Sequence, residues 1–229
     1  MATEEAQIME LMPFLISFRL AFTVTLILAA ASFPLAWLLA VKKFALKPVL
    51  EMLVTLPMVL PPTVIGFYML AALSPRLAFG GALEKIFHTQ FVFSFAGIAL
   101  GGCIHSLPFM VQPLKNGLQS LDRAQAEMSR VLGKSELETF LKITLPQMKP
   151  YIMTGLLMTF VHTIGAFGVV LMVGGNIPGV TKVASIALYE KVETMDFSGA
   201  NLYAAILVGI SLIAVVAAQR FGAKRGEVK

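Results

Sequence analysis

Charge is scarce in this chain. Lys, Arg, Asp and Glu make up 14% of its 229 residues, where a soluble domain carries about 25%. Cys103 is the only cysteine and lies inside an apolar run, so neither a disulfide framework nor a cysteine metal cluster forms within one chain. His88, His105 and His162 are scattered and suggest no metal site, and no Ser–His–Asp or Cys–His arrangement stands out. No catalytic residue is therefore assigned. The Gly-x4-Gly-Lys-Ser/Thr phosphate loop is missing, so nucleotide chemistry would have to come from another chain. Inverted repeats and intramembrane charges, expected of a secondary carrier or channel, are also missing.

Apolar residues are abundant instead, at 57%, with mean hydropathy +0.81. A bilayer core about 30 Å thick takes roughly 20 apolar residues of helix. Five runs meet that length, near 13–41, 49–73, 91–111, 151–173 and 202–219. The pattern predicts an all-α integral membrane protein forming one domain over 1–229. A β-barrel would show short alternating strands. The first run is too long for a secretory signal, and its flank holds Glu4, Glu5 and Glu10.

The net charge of +5 could suggest nucleic acid, but its placement points to lipid. When the ends of the runs are set alternately on two sides, one side receives Lys42, Lys43, Lys47, Lys115, Arg123, Arg130, Lys134, Lys142, Lys149, Arg220, Lys224, Arg225 and Lys229. The positive-inside rule makes that side cytoplasmic, with the N-terminus outside and the C-terminus inside. Arg76, Lys85, Lys182 and Lys191 fall on the opposite side, and Arg19 near its boundary reads as a snorkelling arginine.

Several positions break the apolar pattern. Pro34 can kink the first run. In the second, Pro57, Pro61 and Pro62 remove three backbone donors, and Gly66 follows. Irregular backbone at membrane depth must be buried in protein or line a cavity, so this stretch is either a pathway or gate element or a packing kink. The third run carries Gly97, Gly101 and Gly102, which permit close helix approach, then His105, Ser106 and Pro108. The fourth carries His162, Thr163, Gly165 and Gly168. Ser106 and Thr163 either touch a passing solute or hydrogen-bond between helices. The connections 74–90, with a Gly80-Gly81 turn, and 174–201 are expected outside.

The charged segment 112–150 differs from the rest. Leu121, Ala124, Met128, Val131 and Leu132 form one helical stripe, with Arg123, Ala126, Ser129 and Arg130 on the far face and Glu127 at its edge. Gly133 suits a left-handed helix end. Ser135 stands three residues before Glu138, a capping-box spacing. A second helix then presents Leu137, Phe140, Leu141, Leu145 and Met148 and leads past Pro146 into the fourth run. The first stripe either rests on lipid or seats in another protein's groove.

Glu127-Met128-Ser129, Gly133 and Ile143-Thr144-Leu145-Pro146 keep the full spacing of the "EAA" loop of ABC importer permeases, which this chain resembles. Met128 and Ser129 replace the two alanines. Leu56 to Gly66, and Gly165-Ala166-Phe167-Gly168 with Gly174-Asn176-Ile177-Pro178-Gly179 downstream, are similar to the molybdate permease branch; many relatives carry Glu where this chain has Ala166. The resemblance covers about 15–220. It implies a type I importer fold whose loop is a coupling helix docking on a separate ATPase subunit. Glu127, Met128, Ser129, Gly133, Ile143, Leu145 and Pro146 would form that interface. Pro57, Pro61, Pro62, Gly66, Ser106, Thr163, Gly165 and Gly168 would lie on the pathway or gate. It further implies two copies of the chain, an external substrate-binding protein, the bacterial inner membrane and an oxyanion cargo, molybdate first, with tungstate or sulfate as neighbours. ATP and Mg would sit on the ATPase and no cofactor on this chain.

Overall fold

A computed structural model describes residues 2–121 and 123–223. The basic tail from Lys224 lies outside the described residues, as do the side chains of Glu4, Glu5, Glu10, Arg123, Ala126 and Arg130.

The chain forms eleven helices among the described residues: α1 (Ala2–Val41), α2 (Lys47–Val59), α3 (Pro62–Leu73), α4 (Ala78–Phe87), α5 (Phe95–Gln119), α6 (Arg123–Val131), α7 (Glu136–Thr139), α8 (Leu145–Ile164), α9 (Gly168–Gly174), α10 (Ala184–Glu193) and α11 (Phe197–Ala223). A π-helical turn, Phe140–Thr144, joins α7 to α8. Leu11–Val41, Phe95–Gln119 and Phe197–Arg220 are each long and apolar enough to cross a membrane.

The second and fourth apolar runs, each expected as a span, are bent helix pairs. Helices α2 and α3 meet at 112°, and the helix ending at Ile164 meets α9 at 60°. The first break follows from residue type. A residue before proline is pushed out of the α region, and both Leu60 and Pro61 precede prolines. Their ψ values of 139° and 133° are extended. In the second, Phe167 leaves helical geometry at φ −120°, ψ −68°. Ser185 Oγ donates to the Ala166 carbonyl at 2.7 Å, satisfying an acceptor freed by that break. Helix α1 continues through Pro34 to Val41. The two connections expected outside each contain a helix, α4 and α10.

Helices α1, α5 and α8 pack together around Leu20, Val24, Leu28, Ile98, Met110, Val111 and Met148, all buried. A Cβ on Gly102 would lie 2.8 Å from Val24 Cγ2, and one on Gly66 2.7 Å from Met172 Cβ. These glycines thus set the approach of α5 to α1 and of α3 to α9. Leu11, Leu15, Phe18, Phe22 and Leu26 lie exposed along the outer face of α1, as suits a helix solvated by acyl chains. Ser17 Oγ accepts from the Ala184 N–H at 2.8 Å and ties α1 to α10. Arg19 lies over the Phe95 ring, 4.3 Å from its centroid.

Candidate functional site

The first candidate is the α6 corner. Helix α6 ends as the sequence leads one to expect: Gly133 has φ +77°, the Lys134 N–H donates to the Ser129 carbonyl at 3.2 Å and the Leu132 N–H to Met128 at 3.0 Å. The bond from Lys134 is the six-to-one bond of a Schellman ending, with glycine in the left-handed position. Ser135 then caps α7 by accepting from the Glu138 N–H at 3.1 Å. The Glu138 carboxylate pairs forward with Lys142 at 2.7 Å, which holds its pKa below the ordinary carboxylate value.

Ser129, on the face of α6 opposite the apolar stripe, is buried, 2.8 Å from Thr139 Oγ1. That contact turns the apolar stripe outward. Met128, Val131 and Leu132 are 66%, 86% and 72% exposed, forming a ridge left uncovered by the described residues. Leu137 and Leu141 are exposed beside it. Glu127 borders a cavity of about 720 Å³ between the end of α1 and α7, together with Trp37, Phe140, Ile143 and Gln147. Ile143 and Leu145 are half-buried and Pro146 is exposed at the start of α8.

The second candidate is where the two breaks meet. A Cβ on Gly168 would stand 3.1 Å from both Pro62 Cβ and Thr63 N, closer than ordinary contact, so glycine eases the approach of α9 to α3. Beside this contact a cavity of about 420 Å³ is lined by Pro62, Thr63, His105, His162, Phe167 and Gly168, among others. The rings of His105 and His162 stand 4.5 Å apart, and Phe109 stacks on His162 at 3.9 Å. Ser106 Oγ lies 3.0 Å from His162 Nδ1 and 2.9 Å from Thr163 Oγ1, and Thr163 Oγ1 donates to the Thr159 carbonyl at 2.8 Å. Ser106 and Thr163 are fully buried; their hydroxyls bond each other between α5 and α8, and Thr163 also bonds Thr159 within α8.

The profile of binding-protein-dependent transport system inner membrane components matches residues 32–225. The chain belongs to this family. The molybdenum transport permease ModB of Azotobacter vinelandii is 35% identical, over 91% of this chain and 93% of that protein. ModB of Escherichia coli K12 is 32% identical over 79% of this chain and 80% of that protein. A probable sulfate transport permease, cysT, of Chlorella vulgaris is 31% identical over 91% of this chain and 78% of that one. An inward-facing structure of the MetNI methionine ABC transporter superposes with a TM-score of 0.72 at 15% identity, covering 95% of this chain and 96% of that one.

The permease is thus an all-α membrane protein with the fold of ABC transporter permeases, and family membership implies binding-protein and ATPase partners. Its structure brings Pro62, Gly165, Gly168 and, through His162, Ser106 and Thr163 to one place. Pro57 is buried within α2, and Gly66 is sealed in the contact of α3 with α9. The pairing of His105 with His162 went unseen in the sequence because 57 positions separate them. Each does precede a hydroxyl residue, Ser106 or Thr163, and those hydroxyls bond each other. Among the described residues, no three His, Cys, Asp or Glu side chains converge as a metal site would require.

Proposed function

We propose that the permease forms half of the translocation pathway of an ATP-driven importer of a tetrahedral oxyanion, molybdate first, in a bacterial inner membrane. Two copies enclose the pathway, each with five spans, the N-terminus outside and the C-terminus in the cytoplasm. Two ATPase subunits seat on the α6 ridges, and an external binding protein delivers the anion. ATP binding draws the ridges together and opens the pathway outward. The observation that carries this reading is the exposed ridge Met128, Val131, Leu132 on a helix closed by the Gly133 corner, at the spacing of the coupling loop.

The energetics require such a drive. A dianion entering a cell that is negative inside climbs roughly 4.6 kcal/mol at 100 mV, so a passive pore would exclude it. Sulfate is the second reading, because the Chlorella sulfate permease is nearly as similar to this chain as the molybdenum permeases are. Vesicles holding the permease with its ATPase, supplied with binding protein and ATP, test both. Accumulation of labelled molybdate over sulfate is the expected result. Accumulation of sulfate alone would select the second reading, and a complex that assembles but moves neither anion would mean a membrane-anchored interaction protein instead.

A further inference from the structure

The protons of the α5–α8 cluster can be assigned from its bonds. Thr163 spends its one hydroxyl proton on the Thr159 carbonyl, so its Oγ1 accepts from Ser106. Ser106 has then spent its own proton, and its Oγ accepts from His162 Nδ1. A neutral His162 therefore carries its proton on Nδ1 and keeps Nε2 as a bare acceptor. For His105 the assignment reverses. Its Nδ1 is buried without a partner, and burying a lone pair there is cheaper than burying an orphaned N–H. The His105 proton belongs on Nε2, a donor.

The two rings that line the cavity, 4.5 Å apart, therefore carry one donor, His105 Nε2, and one acceptor, His162 Nε2. Two charged rings at that distance would repel each other. Other titratable groups stand on the packed helices, namely Arg19 on α1, Glu51 on α2, Tyr68 on α3, Cys103 and Lys115 on α5, Lys149 and Tyr151 on α8, and Tyr203 on α11. None lines the cavity. An oxyanion carrying one proton fits this pair: one oxygen accepts from His105 Nε2, and the proton is shared between a second oxygen and His162 Nε2.

Building on the importer reading, we propose that His105 and His162 form an oxyanion contact site in the pathway that receives the anion together with one proton. A dianion then occupies the cavity as a unit of one net negative charge. The proton enters from the outer medium with the anion and leaves with it, so no charge is left on the rings.

The test is initial uptake of labelled molybdate by vesicles holding the whole complex, at outside pH values spanning about 6 to 8. Wild-type uptake should fall with rising pH, approaching tenfold per unit once the proton becomes limiting. His162→Asn keeps a donor to Ser106 and deletes the distal nitrogen; uptake should drop about tenfold or more. His162→Gln supplies a distal amide that donates without a proton, so its uptake should persist and lose the pH dependence. Transport by the Asn variant at the wild-type rate, or a Gln profile parallel to wild type, would overturn the proposal while leaving the importer reading intact. If the Asn variant fails to assemble, the Gln profile decides. A wild-type complex that moves no oxyanion would overturn both.

Discussion

Ser129 and Thr139 face each other across the Gly133 corner, their side-chain oxygens 2.8 Å apart and both residues buried. This bond fixes α6 against α7 and decides which face of α6 looks outward. A net hydrogen bond is worth about 1 kcal/mol. Ser129→Ala and Thr139→Ala should each loosen α6, and the double variant should cost less than the two singles combined, with a coupling of about 1 kcal/mol. Hydrogen exchange of the α6 amides measures this directly.

Gly133 sits at φ +77° with nothing within 4 Å of where a Cβ would stand. The penalty for substitution is therefore conformational, about 1–2 kcal/mol for an ordinary L residue. Gly133→Val should disturb the corner and uncouple ATP hydrolysis from uptake without blocking membrane insertion. Gly133→Asn should be nearly neutral, and Gly133→Asp should fall between them. Parallel assays of ATPase activity and anion uptake check the order.

Leu132 is 72% exposed on the outer ridge, so Leu132→Glu costs the permease little stability. It should weaken ATPase binding by about tenfold or more, since charge at the centre of a desolvated contact is expensive. Co-purification of the two subunits at graded concentrations provides the measurement.

A methyl group at Gly168 would crowd Pro62 and the Thr63 backbone at 3.1 Å. Gly168→Ala should push α9 from α3 at a cost of about 1–3 kcal/mol, seen as a lower unfolding temperature and slower uptake. Gly209 has open space around it, so Gly209→Ala should show neither effect.

Asp196 accepts from the Gly199 N–H at 2.9 Å and from Lys191 at 3.0 Å. These bonds, the backbone one foremost, hold its carboxyl below the usual aspartate value. A depressed carboxyl stabilises the fold above its unfolded pKa, and that contribution is lost as pH falls through the folded value. Asp196→Asn should thus lower stability near neutrality, with the difference from wild type closing below about pH 3.8. Thermal unfolding of both proteins across that range reads it out.

The apolar runs, the Gly133 corner and the Ser135 cap were legible because each depends on residues close in sequence. That the proline stretch turns the chain was also local: Leu60 and Pro61 both precede prolines, which disfavours the helical region at two successive positions. Its angle of 112° was not, since packing of α3 on α9 sets it. Which side of α6 meets the rest of the chain was left open, because period alone cannot say which side of an amphipathic helix meets lipid, partner or self. The histidine cavity was hidden for a similar reason. It exists only where α5, α8 and the two breaks converge, and no local pattern marks that meeting.

One unbroken helix, α8, runs from Pro146 beside the corner to His162 beside the cavity. At 1.5 Å per residue its twenty residues measure about 30 Å, so a tilt of only about 10° at one end would swing the other by about 5 Å. Under the importer reading, the two candidate sites therefore sit at opposite tips of a single lever, and His162 feels a stroke delivered at the corner without any intervening relay.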